Sequence, residues 1–155
     1  MASQTGRTVS KWVTFKIDDS GGTLRTVVGV KSINGVGLEY EAVDVTALTE
    51  AIKNALPGQA DLTITVVGHI DNTANTGFHT VFSGINGGVT PLSMDIQVGV
   101  RHAWESGEPQ FGIDATASAG MICTSYVANM DSMEATAVLK VMGGTAPAWG
   151  IAAES

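Results

Sequence analysis

Two residues with acid–base side chains, His69 and Asp71, lie two positions apart in a stretch that alternates like a strand. Side chains at i and i+2 of a strand share a face, so these two groups could meet as the orienting pair of a hydrolytic triad. Such a triad also needs an activated nucleophile, and the sequence contains no Gly-x-Ser-x-Gly elbow. We therefore interpret His69 and Asp71 as two half-exposed positions of one strand.

Candidates for metal or phosphate chemistry are equally weak. His79 and His102 are far apart in the chain and match no common metal-ligand spacing. Asp18 and Asp19 lead into a glycine-rich loop that lacks the other oxygen ligands of a calcium loop, so we predict a surface turn. Glycine pairs occur at positions 21–22, 87–88 and 143–144. None of these pairs matches a P-loop or a dinucleotide-binding fingerprint.

The remaining residue types with distinctive chemistry also favour structural roles. Cys123 is the only cysteine, so an intramolecular disulfide and a thiolate metal cage are both excluded, and its apolar neighbours predict a buried thiol. Trp12, Trp104 and Trp149 are more typical of core or interface anchors than of a carbohydrate platform. The sequence thus predicts no catalytic, cofactor-binding or metal-binding residue, and a protein that is not an enzyme.

Composition sets further limits on function. The chain has 155 residues, which fits one domain (1–155); hydrophobic residues make up 44% and charged residues only 15%. The net charge of −7 and the absence of a basic cluster argue against binding nucleic acid through its phosphates. The start of the chain lacks the apolar core of a signal peptide, and no apolar run is long enough for a membrane span. We expect a soluble protein made in a reducing cytoplasm.

Hydrophobic alternation between frequent turn residues predicts a mainly β fold. The predicted strands cover residues 12–17, 24–31, 38–45, 61–70, 90–100, 121–128 and 133–142. Residues 18–22 form a predicted hairpin loop, and Asn34-Gly35 a tight turn. In the third strand Leu38, Tyr40 and Ala42 should face a buried side, with Glu39 and Glu41 facing water or a partner. The small apolar end of the chain looks like an arm.

Two segments have helical rather than strand spacing. Phe78, Val81, Phe82 and Ile85 fall at i, i+3, i+4 and i+7, which predicts a short helix at about 78–85 capped by Thr76. The long connection 46–60 shows similar spacing, ended by a Pro57-Gly58 turn; its apolar residues are Leu48, Ala51, Ile52, Ala55 and Leu56. The pattern indicates a sheet framework with one helix packed on it.

Two stretches resemble the major tail tube proteins of long-tailed bacteriophages (siphophages). In the first, a strand ends at 43–48 with an acidic residue and a threonine, Asp44 and Thr46. A long connection then leads through Pro57-Gly58 into the Thr-rich strand 62–65. In the second, residues 120–126 and 135–143 are similar to the closing pair of strands in that family, with a chain-reversing loop at 129–133. A helix between strands in the middle of the chain fits the same order.

The resemblance implies an antiparallel β-sandwich or partly closed barrel flanked by one short helix. It further implies a virion protein, made in the bacterial host cytoplasm, whose copies form hexameric rings that stack into a hollow tail tube. Tape-measure, tail-tip or baseplate and terminator proteins would be its partners. DNA would pass through the tube without specific binding.

Elementary physics is consistent with self-assembly. An open β domain has unpaired edges, and a closed ring of copies can cover them. Six copies of charge −7 give about −42 per ring, a field that repels phosphate if enough of it faces the bore. Leu48, Ile52 and Leu56 would need cover from a neighbour, and the arms 1–11 and 146–155 would order on stacking.

Two other functions fit part of the sequence. A capsid decoration or accessory protein of a phage would also be small, acidic and rich in strands. A carbohydrate-binding β-sandwich module would need exposed coplanar aromatic residues, yet Phe, Trp and Tyr together make up only 6% of the chain. Electron microscopy, which would show rings or tubes, separates a tail tube from a decoration protein. A glycan array tests for the carbohydrate-binding module.

Overall fold

Two antiparallel sheets face each other across one apolar core in a computed structural model, which describes residues 2–151. A short 3₁₀ turn, Ser10–Trp12, precedes the first strand. The strands in chain order are β1 (Val13–Asp18), β2 (Leu24–Thr26), β3 (Val30–Asn34), β4 (Glu39–Asp44), β5 (Ala55–Asp61), β6 (Thr63–His69), β7 (Met94–Val98), β8 (Gln110–Ile113), β9 (Gly120–Asn129), β10 (Glu134–Met142) and β11 (Ala148–Trp149). One helix, α1 (Phe78–Ile85), lies between β6 and β7.

The first sheet has five strands in the order β11-β8-β7-β1-β2. Its central strands β1 and β7 pair antiparallel, with Phe15 opposite Ile96. Phe15 and Ile17 of β1 are buried while Lys16 between them is half-buried, as expected for a strand with one face on a core. Strands β2 and β11 form the two edges of this sheet.

The second sheet has four strands in the order β3-β6-β10-β9. Strand β10 pairs with β6 on one side and with β9 on the other. Its residues Ala135, Ala137 and Leu139 alternate into the core, where they meet Ile64 and Val66 of β6. The predicted sandwich is confirmed, and the sheets stay open rather than closing into a barrel.

Helix α1 covers Phe78–Ile85, as the helical spacing predicts, and its four apolar residues are all buried. The predicted cap at Thr76 is wrong, because the N-cap residue is Gly77 and it makes no side-chain cap. Carbonyl oxygens of the preceding loop contribute instead: Asp71 O accepts the N–H of His79 at 2.9 Å. A Cβ at position 77 would collide with that same carbonyl, which explains the glycine.

Residues 24–31, predicted as one strand, divide between the two sheets. Strand β2 ends at Thr26, the chain crosses through Val27 and Val28, and β3 begins at Val30 in the other sheet. Gly29 makes the crossing with a φ of +89°, a conformation that side chains with a Cβ rarely adopt. Strands β8 and β11 were not predicted, because both are short and lie among turn residues.

Candidate self-assembly surface

Strands β4 and β5 form a separate two-stranded sheet, which we call the ribbon (residues 39–61). Every residue of β4 is exposed, and so is every residue of β5 except the half-buried Gly58. The predicted buried face of Leu38, Tyr40 and Ala42 is therefore wrong for the isolated subunit: Leu38 is half-buried, and Tyr40 and Ala42 face solvent. A two-stranded ribbon without a packed face is only marginally stable in water, so we expect this ribbon to be more stable when another surface packs against it.

The end of the ribbon, residues 45–54, presents large apolar side chains to solvent, and we call it the tip. Leu48 has a relative exposure of 106% and Ile52 one of 81%. Further along the ribbon Tyr40, Val43 and Leu56 are also exposed. Apolar side chains clustered on one protruding element are typical of a surface that binds another protein.

Hydrogen bonds give the tip a defined shape. The N–H of Asn54 donates to Thr46 Oγ1 at 2.6 Å, and the N–H of Val45 donates to Asn54 O at 2.9 Å. The Asp44 carboxylate accepts the N–H of Thr46 at 2.9 Å. Hydrogen bonding to the Thr46 side chain and N–H lowers the pKa of Asp44. Leu48 and Ile52 thus stand on a structured turn.

The helical spacing in the long connection 46–60 does not produce a helix. Residues 45–54 form a loop with turns, and residues 55–61 are strand β5, paired antiparallel with β4. Pro57 and Gly58, predicted as a turn, lie inside that strand next to a register shift between Tyr40 and Ala42. A β-bulge is one of the few strand positions that accommodates proline, which explains the placement.

The ribbon is the most acidic part of the chain. Five of its residues are acidic, Glu39, Glu41, Asp44, Glu50 and Asp61, against one basic residue, Lys53, a net charge of −4. Residues 2–38 have the opposite balance, with five basic residues and two acidic ones, a net charge of +3. The two segments therefore carry net charges of opposite sign.

A groove of about 400 Å³ opens between the two sheets at one side of the sandwich. One rim is β3, the edge strand of its sheet, and the other is the start of β1, Val13–Phe15, with Thr26 at the end of β2. Apolar side chains of both sheets line it, namely Val13, Phe15, Ile96 and Val98 from one and Val30 and Ile33 from the other. Trp149, 55% exposed and packed against Phe111, stands at its border.

Solved structures share this fold. A chain in the cryo-EM structure of the sheath/tube terminator of an extracellular contractile injection system (PVC) is 13% identical, with a TM-score of 0.60 over 96% of this chain and 99% of that one. A chain of the anti-feeding prophage tube-terminating cap is 14% identical, with a TM-score of 0.59 over 98% and 96%. A chain in the tail of an empty gene transfer agent (GTA) particle, refined with C6 symmetry, is 19% identical, with a TM-score of 0.56 over 92% and 98%. No protein-family model and no curated protein sequence matches the chain.

The residues singled out for triad chemistry take structural roles. His69 is exposed at the end of β6, and Asp71 lies beyond that strand in the following loop. The Asp71 carboxylate accepts hydrogen bonds from Thr73 Oγ1 at 2.5 Å and from the N–H of Thr73 at 2.8 Å. These bonds lower the pKa of Asp71 and fix the loop ahead of α1. His79 instead pairs with Tyr126, whose hydroxyl lies 2.9 Å from Nδ1.

The two aspartates before the glycine-rich loop differ in environment. Asp19 closes the β1–β2 turn by accepting the N–H groups of Gly21 and Thr23, and it pairs with Arg25 at 2.8 Å. Asp18 is buried, and its Oδ2 accepts the N–H of Ser93 at 2.9 Å. Burial raises the pKa of Asp18, with the charge of Asp19 adding to the effect. The predicted turn is present, but Asp18 is not at the surface.

A buried pair that the sequence does not reveal joins His102 to Glu108. Glu108 Oε2 lies 2.8 Å from His102 Nε2, and both side chains are buried. The same oxygen accepts the N–H of Gln4, while Oε1 accepts the N–H of Glu105 at 2.9 Å. Burial works against ionisation of Glu108, but these hydrogen bonds outweigh it and lower its pKa. The pair therefore holds the start of the chain against the loop before β8.

Nothing in residues 2–151 groups three or more His, Cys, Asp or Glu side chains as metal ligands. Cys123 is buried, and burial raises the pKa of its thiol. The three tryptophans have separate contacts: Trp12 lies under Lys11, Trp104 donates to Glu108 O, and Trp149 packs on Phe111. The α-helix that the described residues contain is too short to cross a membrane.

Proposed function

We propose that this chain is a non-enzymatic structural subunit of a phage-like tail tube, whose copies form rings that stack into a hollow tube. The observation that carries the proposal is the ribbon tip, where Leu48 and Ile52 are fully or largely exposed on a structured turn. Leaving such side chains in water is unfavourable, by about 25 cal/mol for each Å² that a partner could cover.

Sheet edges support the same conclusion. Strands β2, β3 and β11 are outer strands of their sheets, and each has one side free of a sheet neighbour within the described fold. The fourth outer strand, β9, is bridged on its outer side at Met121 and Cys123 by the segment after α1. Exposed edges promote uncontrolled pairing unless another element covers them. A head-to-tail ring covers the edges of every copy with the same contact and closes on itself.

We infer six copies per ring. The GTA tail to which this fold is similar was refined with C6 symmetry. Six subunits of charge −7 give about −42 per ring, which would keep DNA from adhering to the wall of a bore. DNA would then be delivered through the tube without specific contacts. The assembled protein would reside in the virion after synthesis in the cytoplasm of the bacterial host.

Other tail components would bind the ends of the tube. A tape-measure protein, a tail-tip or baseplate complex and a terminator are the partners that a tube of defined length requires. The resemblance to terminator and cap chains in the injection systems supports a place in or at the end of such a tube. The arms 1–11 and 146–155 are proposed to rearrange on stacking; in the subunit, part of the second arm forms β11 and residues 152–155 lie outside the described structure.

Electron microscopy of the purified protein at rising concentration tests the proposal. We expect rings or tubes from the unaltered chain, and folded monomers from the Ile52→Asp variant. Val89→Asp is the matched control, because Val89 is also exposed (78%) but lies in the loop after α1. Discrete trimers that bind capsids would favour a decoration protein, and glycan binding would favour a carbohydrate module. An Ile52→Asp variant that unfolds would place Ile52 in the subunit's own core and contradict the contact.

A further inference from the structure

The groove between the two sheets has a shape and lining that call for an occupant. Its floor consists of side chains that would be core residues if the sandwich closed on that side, among them Val13 and Val98, which stay half-buried. Its rim β3 is an edge strand, and on the other rim β2 pairs with β1 only at Lys16–Asp18, so the start of β1 is also an open edge. An apolar floor between two strand edges suits an extended or hairpin segment with protruding apolar side chains.

The ribbon tip is the segment of this chain that matches such a site. The tip is the end of a hairpin, and its side chains Leu48 and Ile52 project into solvent. The whole ribbon carries a net charge of −4. The groove belongs to the segment with a charge of +3: Lys31 lines it, and Lys11 adjoins its wall residue Ser10. Lys31 is paired with Glu134 at 2.9 Å, and the Lys11 ammonium lies over the Trp12 ring, 4.6 Å from its centroid. The attraction would therefore come from the basic segment as a whole rather than from one lysine in the groove.

We propose that the tip of one copy docks into the groove of a neighbouring copy, with Leu48 and Ile52 covering its apolar floor. This inference rests on the proposed self-assembly and names the surface that receives the ribbon. The contact is heterologous, because the tip and the groove are different surfaces, and such contacts generate rings or stacks rather than closed dimers.

Cysteine cross-linking between two variants tests the docking. Ile52→Cys and Ser32→Cys are prepared separately, because Ser32 is exposed and lines the groove. The native Cys123 stays in place, since it is buried. On mixing and mild oxidation we expect a covalent dimer of one copy of each variant. Its yield should exceed by about tenfold that of the control mixture, Val89→Cys with Ser32→Cys, because docking raises the local thiol concentration.

A second variant, Ser32→Trp, fills the mouth of the groove without altering the core. We expect it to keep the circular dichroism spectrum of the unaltered chain and to lose assembly by light scattering. Normal assembly of Ser32→Trp together with no cross-link above the control would overturn the groove as the receiving surface, while leaving tube formation intact. Failure of the unaltered chain to assemble at all would instead refute the proposed function, and with it the docking.

Discussion

Glu108 Oε2 accepts the backbone N–H of Gln4 at 2.8 Å, across 104 positions of sequence. Two further contacts hold the same arm: Arg101 Nη2 donates to Thr5 O at 2.8 Å, and Thr8 Oγ1 donates to Gly99 O at 2.6 Å. The start of the chain is therefore fastened to the loop before β8 in the isolated subunit. Release of this arm is a step that stacking would require if the arm contacts another ring.

Replacing Glu108 by Gln should loosen the arm. Gln keeps one acceptor oxygen, which can accept at most two of the three hydrogen bonds and lacks the charge that strengthens all of them. We expect the amide hydrogen of Gln4 to exchange about tenfold faster, while amides of β10 remain unchanged. Asp131→Asn, at an exposed turn, is the control. Equal protection of Gln4 in both variants would show that Glu108 does not hold the arm.

Asp18 should make stability depend on pH. Its pKa is raised in the folded state by burial, so the folded protein binds the proton more tightly than the unfolded chain. The stabilising effect of that proton is fully present below the unfolded pKa and is lost as the pH rises through the folded pKa. Relative to the unaltered chain, the Asp18→Asn variant should therefore gain stability between pH 4 and pH 7.

Urea unfolding at pH 3, pH 4 and pH 7 measures this effect, with Ile52→Asp added to each chain to keep it monomeric. Asp19→Asn offers the opposite sign, since the pKa of Asp19 is lowered in the folded state through its bonds to Arg25, Thr23 and Gly21, which outweigh its burial. The Asp19→Asn substitution should therefore lower the free energy of unfolding more at pH 7 than at pH 3. A stability difference between Asp18→Asn and the unaltered chain that does not change with pH would contradict a raised pKa of Asp18 in the folded state.

The aromatic cluster under α1 should dominate the stability of the subunit. Phe82 is fully buried and contacts Phe15, Phe78 and Tyr126. Its replacement by Ala leaves a cavity between the helix and both sheets, and we expect a loss of about 3–5 kcal/mol in the free energy of unfolding. Val89→Ala, at an exposed site, should change it by less than about 0.5 kcal/mol. A small effect for Phe82 would mean that the helix packs loosely.

Removing the tip should abolish assembly without cost to the fold. The N–H of Val45 already donates to Asn54 O, so an Asn-Gly turn in place of residues 46–53 can close the ribbon at that pair. We expect the free energy of unfolding to change by less than about 0.5 kcal/mol, because the deleted residues contribute nothing to the described core. Light scattering should show monomers at concentrations where the unaltered chain assembles. Tubes built from the shortened chain would exclude the tip as a contact.

Local pattern predicted the parts of the fold whose burial comes from the subunit itself. The spacing of Phe78, Val81, Phe82 and Ile85 located α1, because it places all four side chains on the helix face that packs against the core. The alternation in β6 and β10 did the same for the central strands. Turn residues at 18–22 marked the β1–β2 hairpin correctly.

The parts that sequence did not predict depend on distant partners. The apolar residues at 48, 52 and 56 fit a helix, but in the ribbon no core of the described subunit buries them, so their spacing carries no structural information. The division of 24–31 between sheets is set by pairing of β2 with β1 and of β3 with β6, which no local window contains. The hydrogen bond from the Gln4 N–H to Glu108 likewise joins residues that are far apart in sequence.

If the ribbon is the contact proposed above, recognition between copies is separate from folding of the subunit. Because its side chains are not shared with the core, residues 39–61 can change to suit a new neighbour while the sandwich keeps its stability. Two related chains with the same sandwich and different ribbons would then sort into separate tubes, even when both are synthesised in one cell.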